Sequence, residues 1–358
     1  ILPKSVLTNL RERYHHDLAQ ASVESFTSSL VRFELNQRMK KSLGWQRMIA
    51  RNAWFQNLAL QSLKRISAQI DYPITLFAYS YAALDLFQYA KSQGWQTVLG
   101  QIDPGIAEEQ LVVDKYVSHP TYNSSCKVAP AKYWIDWQQE CLLSDRIIVN
   151  SQWSSEALQK VGIPRQKIDI IPLAYQTPYN TRSYTRSYPS SFSKERPLRV
   201  LFLGQIILRK GIVALLEAAD ILSNQPIEFW LVGFPGISLA QTKPNIKLIG
   251  AIPRSLTDQY YQMADVFLFP TLSDGFGLTQ LEAQAWKLPI IASKFCADVV
   301  KDNVNGILLN EVSGEAIAQA LKSCINNPNK LEIFARQSVD ITNFNLLNLQ
   351  HHLQSHYI

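Results

Sequence analysis

Two carboxylates and two cations in the second half of this 358-residue chain have the spacing to do chemistry. The carboxylates are Asp274 and Glu282, in the stretch PTLSDGFGLTQLE from Pro270 to Glu282. Asp274 stands in a turn with Gly275 and Gly277. Glu282 lies about one turn into a run, Leu278–Trp286, that reads as a helix. The apolar run Val266–Phe269 before them reads as a buried strand. A strand that stops, turns on two glycines and opens into a helix aims backbone N–H groups at one spot. The helix dipole adds partial positive charge there, which makes an anion site. Two carboxylates beside it would repel a bare anion. They suit hydroxyls on the same ligand, and a phosphate between two polyol parts describes a nucleotide-sugar.

The cations are Arg209 and Lys210, in a turn bracketed by Gly204 and Gly211. Cations at a helix start add to its dipole, which is unfavourable unless an anion fills the site. The plainer alternative is two solvated cations at a turn. Two further strand ends point the same way. Leu231-Val232-Gly233 ends on a glycine that lets a ligand approach the backbone. Gly250-Ala251-Ile252-Pro253 is a short connection suited to holding a flat base through backbone groups.

Other candidates are weaker. Asp136 and Glu140 sit one helical turn apart and could form an acid/base pair, although a polar helix face is the simpler reading. His119, in SHPTY, could face an acceptor, although a loop histidine with no role is the simpler reading. His351, His352 and His356 read as a solvated helix face, and no metal site is expected.

Positioning these residues takes alternating strands and helices. Ile74–Ser80, Gln96–Ile102, Asp145–Ser151 and Lys167–Leu173 read as strands separated by helices. Gln176–Arg196, rich in Ser, Thr, Tyr and Pro, reads as an exposed linker. A second alternation follows, with strands at Leu198–Leu203, Ile227–Val232, Ile246–Ile249, Val266–Phe269, Ile290–Ser293 and Gly306–Leu309. Such alternation implies two Rossmann-like, doubly wound parallel sheets that hold ligands at the carboxyl ends of their strands.

Composition limits the rest. The chain is 47% hydrophobic and 18% charged, so it can bury large cores. No apolar run approaches the roughly 18–20 residues of a membrane span. The start has no charged leader followed by an apolar core, so no signal peptide is expected. The four cysteines are scattered, as in a reduced, cytoplasmic protein. Residues 1–70 hold eleven Lys or Arg against four Asp or Glu and account for the net charge of +6. Arg38–Arg65 reads as one basic, Trp-bearing amphipathic helix, suited either to packing on its own domain or to lying on an anionic membrane. No nucleic-acid-binding motif accompanies these basic residues.

The motifs Phe202-Leu203-Gly204…Arg209-Lys210-Gly211, Ala264-Asp265-Val266…Pro270, Asp274-Gly275-Phe276-Gly277…Glu282-Ala283, Leu288-Pro289-Ile290 and Asn305-Gly306 resemble the donor half of the family-4 retaining glycosyltransferases. The resemblance runs over about residues 198–310. Ser144–Pro172 resembles the end of the acceptor domain more loosely. The resemblance implies the GT-B fold, with two Rossmann-like domains facing across a cleft. Residues 1–180 would form the acceptor domain, with its first strand either missing or built differently, since the family's glycine-rich loop has no Gly-Gly counterpart here. Residues 181–196 would be the linker and 197–335 the donor domain. The C-terminal helix, 336–358, would pack back on the first domain.

The same resemblance implies roles. Asp274 would face the donor sugar, where the family usually has Glu, and Glu282 would hold the ribose hydroxyls. Lys210 matches the family's lysine on the diphosphate. Gln205 stands where Arg is common, so Arg209 would supply the second cation. Gly204, Gln205, Gly233, Ile252, Gly275, Phe276, Gly277 and Leu278 would line the donor. The implied reaction moves a hexose from a UDP- or GDP-sugar to a sugar, glycan, small-molecule or lipid-linked acceptor, with retention. No cofactor is expected beyond the nucleotide-sugar, and no Asp-x-Asp motif marks a metal. The expected location is cytoplasmic, with peripheral contact at the inner membrane face as the alternative that the basic helix leaves open. The alternative is a catalytically silent nucleotide-sugar-binding or regulatory subunit at a membrane surface.

Overall fold

A computed structural model describes residues 21–118, 128–181, 183–237, 243–338 and 341–357. His119, the acceptor candidate, lies outside the described residues, as do His15, His16 and Cys126. The chain divides into two compact units, residues 1–70 and 71–358, so the division falls well before 181–196.

In the first unit, helices span Thr27–Met39 and Gly44–Ser67. The single helix expected over Arg38–Arg65 is therefore interrupted. Lys41 and Gly44 adopt φ of 50° and 56°, left-handed values that a continuous helix cannot contain. The turn brings the two helices together. Trp54 stacks on Phe33 with centroids 5.3 Å apart and donates to the Ser29 hydroxyl at 3.1 Å. Arg47 and Arg51 both pair with Glu34, and Arg65 pairs with Glu24. Part of the basic character is thus balanced inside the hairpin.

The second unit holds two parallel sheets. The first contains β1 (Thr75–Tyr79), β2 (Gln96–Gly100), β3 (Arg146–Val149) and β4 (Ile168–Ile170), in sequence order among the described residues. The second contains β5 (Leu198–Leu203), β6 (Ile227–Val232), β7 (Ile246–Gly250), β8 (Val266–Phe269), β9 (Ile290–Ser293) and β10 (Gly306–Leu309). Its spatial order is β10-β9-β8-β5-β6-β7, so the winding reverses between β5 and β8. Ligands settle outside the strand ends at such a reversal.

Period-2 alternation builds the cores of this sheet. Leu198, Val200 and Phe202 face one core with Leu215 of helix Ile212–Ile221 and Leu321 of helix Gly314–Asn326. Leu201 faces the other, with Tyr261 of helix Thr257–Met263 and Leu281 of helix Leu278–Ala285.

The stretch read as an exposed linker is instead fastened to the second sheet's layers. Arg186 donates to the carbonyls of Ala264 at 2.6 Å and Trp286 at 2.8 Å, and also to that of Tyr261. Tyr184 packs edge-on against Trp286, Phe192 is buried in the core, and Arg196 grips Asp265 with two bonds of 2.6 Å. Aromatics spaced four apart carry this packing, and full burial of one such side chain contributes about 1.5–3 kcal/mol. Helix Leu346–Tyr357 lays Leu349 and Leu353 against Val98 and Ile148 of the first sheet and Ile171 just past β4.

Candidate functional site

The β5 and β8 loops meet at the reversal and press together. Gly211 adopts φ 74°, and a Cβ there would stand 1.8 Å from the Pro270 carbonyl oxygen. The Arg209 carbonyl accepts from the Leu272 N–H at 2.8 Å and the Thr271 hydroxyl at 3.2 Å. Gly277, at φ 86°, starts the helix Leu278–Ala285, and any side chain there would strike the Phe269 ring. Glycine at 211 and 277 is thus required by close approach as well as by handedness.

This apposition gathers the charges. The Lys210 ammonium pairs with the Asp274 carboxylate and lies 5.2 Å from the Phe269 ring centroid. Arg209 Nη1 donates to the Ser273 carbonyl at 2.9 Å and lies 3.8 Å from Asp274 Oδ2. Its Nε lies 3.4 Å from Glu108 Oε1. Both cations therefore stand against carboxylates, not in open solvent. Glu282 accepts from the Tyr261 hydroxyl at 2.8 Å, and Arg254 approaches its other oxygen to 4.0 Å. Burial and the Glu282 charge raise the Tyr261 phenol well above its ordinary value, so it remains a hydrogen-bond donor.

The remaining expected donor residues divide. Gly204 adopts φ 154° with open space where a Cβ would stand, and Gln205 and Leu278 are exposed. Ile252 is half-buried against the second core. The Phe276 side chain is buried, edge-on to Phe344 at 6.0 Å. Gly233 serves the chain itself: a Cβ would stand 1.8 Å from the Gly204 carbonyl, and its N–H donates to the Gly250 carbonyl at 2.8 Å.

Residues of the first sheet's loops also reach this surface. Trp153 donates its indole N–H to the Ser273 hydroxyl at 3.1 Å and packs against Phe295 at 5.0 Å. The Ser154 hydroxyl lies 3.4 Å from the Gly275 carbonyl. A Cβ at Gly275 would stand 2.1 Å from the Ile102 carbonyl oxygen. Glu108, in the first turn of helix Ile106–Ser118, is pushed up to about 7 by burial. Arg209 opposes that rise, Asp103 and Asp274 add to it, and the Ser273 hydroxyl opposes it. Sequence reading missed Glu108 and Trp153. Their only signal was position after a strand end, since their partners lie more than 100 residues away.

Glu140 is neither half of an acid/base pair nor part of a polar face. It is buried and accepts from the backbone N–H groups of Tyr81 at 2.7 Å, Ala83 at 2.8 Å and Leu84 at 3.2 Å. It thereby caps helix Leu84–Ser92. Asp136 points elsewhere and pairs with Lys132. Among the described residues no cluster of three or more His, Cys, Asp or Glu could hold a metal ion, and no helix is long and apolar enough to cross a membrane. Cys141, Cys296 and Cys324 are buried and unpaired.

Residues 185–339 match the family model of glycosyl transferases group 1. This corrects the family-4 expectation: the family finding is group 1. The span begins at Thr185, inside the stretch read as a linker, in keeping with the packing of Arg186 and Tyr188 on the second sheet. A D-inositol 3-phosphate glycosyltransferase of Rhodococcus erythropolis is 30% identical over 235 residues, covering 58% of this chain and 52% of the relative. An amylovoran biosynthesis glycosyltransferase of Erwinia amylovora is 27% identical over 209 residues, covering 51% and 47%. The chain thus spans about half the length of the curated relatives it matches.

Among solved structures, a sucrose-phosphate synthase from Thermosynechococcus elongatus superposes with a TM-score of 0.65 at 17% identity, covering 88% of this chain and 79% of the other. HepE of Anabaena in complex with UDP gives 0.60 at 17%, covering 84% and 80%. These likenesses show the fold: two Rossmann-like parallel-sheet domains in a GT-B-like α/β arrangement, as expected. The named relatives are glycosyltransferases, in agreement with the chemistry read from the loops.

Proposed function

We propose that the chain is a retaining glycosyltransferase that moves a hexose from a nucleotide-diphosphate sugar to a sugar, glycan or lipid-linked acceptor. The observation that carries this reading is the convergence of Arg209, Lys210 and Asp274 on one surface at the β5/β8 reversal. Residues 197–335 are the donor domain and the loops of β1–β4 the acceptor side. The UDP named with the HepE structure supports a nucleotide donor.

In this reading, Arg209 and Lys210 exchange their carboxylate partners for the diphosphate. As the glycosidic bond breaks, negative charge grows on the departing phosphate oxygens. The two cations and the N–H groups at Gly275–Leu278 stabilise it. Preorganised donors of this kind contribute about 3–4 kcal/mol each. Glu282 accepts from the ribose hydroxyls, with Tyr261 fixing its orientation. Asp274, released from Lys210, faces the donor sugar. The departing phosphate takes the acceptor's proton on the face it leaves, so retention needs no strong protein base. Side-chain cations occupy the place a divalent metal takes in other transferases, which supports a metal-independent reaction.

The test is release of nucleotide from UDP- and GDP-sugars in the presence of candidate acceptors. Turnover supports the reading. Tight nucleotide binding with no turnover on any pair favours the silent subunit.

A membrane contact belongs to the same proposal, at the cytoplasmic face. Met39, Leu43, Met48 and Phe55 are exposed on the first unit's hairpin, which also carries Arg38, Lys40 and Lys41. Apolar side chains beside basic ones suit an anionic bilayer surface. Flotation with anionic vesicles tests it, and no binding removes it.

A further inference from the structure

We propose that Glu108 is a positioning residue that holds Arg209 in the absence of donor, and that donor binding takes up a proton at Glu108. This inference rests on the placement of the donor diphosphate at Arg209 and Lys210. Glu108 reaches across from helix Ile106–Ser118 so that its Oε1 lies 3.4 Å from Arg209 Nε. Its Oε2 is buried, and the Ser273 hydroxyl beside the carboxylate is a neutral partner that brings no compensating charge. A buried carboxylate in that position depends on Arg209 for its charge balance. When a diphosphate draws the guanidinium away, the carboxylate loses that balance and faces an added negative charge. Both changes favour its protonated form.

The charged groups around it act in the same direction or belong to the site. Asp103, in the loop after β2, raises its affinity for a proton, and so does Asp274 from the β8 loop. Lys210, next to Arg209 in the chain, is engaged by Asp274. Glu109, its neighbour on the helix, is turned away and accepts from the Ala129 N–H at 2.6 Å and the Trp134 indole at 2.7 Å. Burial already places Glu108 at about 7 in the free protein, so a further rise falls in a measurable range.

The consequence is a donor affinity that weakens with alkalinity. With a free-state value of about 7 and a bound-state value raised well beyond it, affinity falls by up to about tenfold between about pH 6 and pH 8.

The experiment is calorimetric titration of the intact chain with UDP-glucose, GDP-mannose and ADP-glucose at several pH values, in buffers of differing ionisation enthalpy. The phosphates of these sugars do not titrate in this range, so an absorbed proton belongs to the protein. Proton uptake near neutrality supports the proposal when the tenfold loss also flattens in Glu108→Gln, with tighter binding at pH 8. Binding with no proton uptake and no pH dependence in the unmodified chain overturns the proposal and leaves the donor site standing. Failure of all three sugars to bind overturns both. The proton count is made on the unaltered protein, so it holds even if the variant folds poorly.

Discussion

Lys210 and Asp274 form an ion pair across the crevice where the winding of the second sheet reverses. One residue follows β5 and the other follows β8, and Arg209 lies 3.8 Å from the same carboxylate. Under the proposed function, Asp274 is an internal stand-in for the charge a diphosphate would bring.

Replacing Lys210 with Ala should lower kcat by about 10²–10³-fold, the usual cost of removing one preorganised donor from a developing anion. Circular dichroism should stay unchanged, because the Lys210 ammonium is at the crevice and not in either core. Steady-state transfer assays check this. Unaltered kcat would show that the diphosphate lies elsewhere.

Glu282 and Tyr261 form a second test. Glu282→Gln should weaken nucleotide-sugar binding by about tenfold or more, since hydrogen bonds to a charged acceptor are among the stronger ones. Tyr261→Phe should cost less, because it leaves the carboxylate in place and removes the 2.8 Å bond that orients it, with a weaker 3.5 Å contact to the Thr279 carbonyl. Equilibrium binding of the two variants checks the order.

The strands were legible and the polar contacts were not. β5, β6, β8, β9 and β10 lie at the bounds their apolar runs indicated, because Gly, Pro or a charged turn closes each run. Arg209, Lys210 and Asp274 were marked by charge at a strand end and are brought together. The hairpin in the first unit was not legible, because Lys41 enters a left-handed conformation that its residue type does not advertise. Nor was the seating of Arg186, whose three carbonyl partners belong to helix ends distant in sequence. Glu108 and Glu140 show the same limit: nothing in the sequence marks the first, a polar helix face is the simpler reading of the second, and tertiary packing gives one to Arg209 and the other to a helix start.

Gly275→Ala should disturb the apposition of the two sheets' loops. The new Cβ would stand 2.1 Å from the Ile102 carbonyl oxygen, and backbone must shift to admit it. Overpacking of this kind costs about 1–3 kcal/mol. Urea denaturation should show that loss, and the shift should also lower transfer activity because Asp274 is adjacent.

Glu140 makes stability depend on pH. Burial raises it to about 7 from an ordinary 4.5, against the opposing bonds from Ala83, Tyr81 and Leu84. Between these values the folded chain keeps a proton that the unfolded chain releases. Stability from this group therefore falls as pH rises through that window, by up to about 1.4 kcal/mol per pH unit, and is level above it. Urea unfolding of Glu140→Gln at several pH values should show a shallower fall than the parent.

The most direct measurement is a crystal structure with an unhydrolysed nucleotide-sugar bound. The expected result places the diphosphate within hydrogen-bond reach of Arg209 and Lys210, the ribose on Glu282 and the sugar beside Asp274, with the Lys210–Asp274 pair opened. A nucleotide-sugar bound away from the β5 and β8 loops, with that pair intact, would contradict the account.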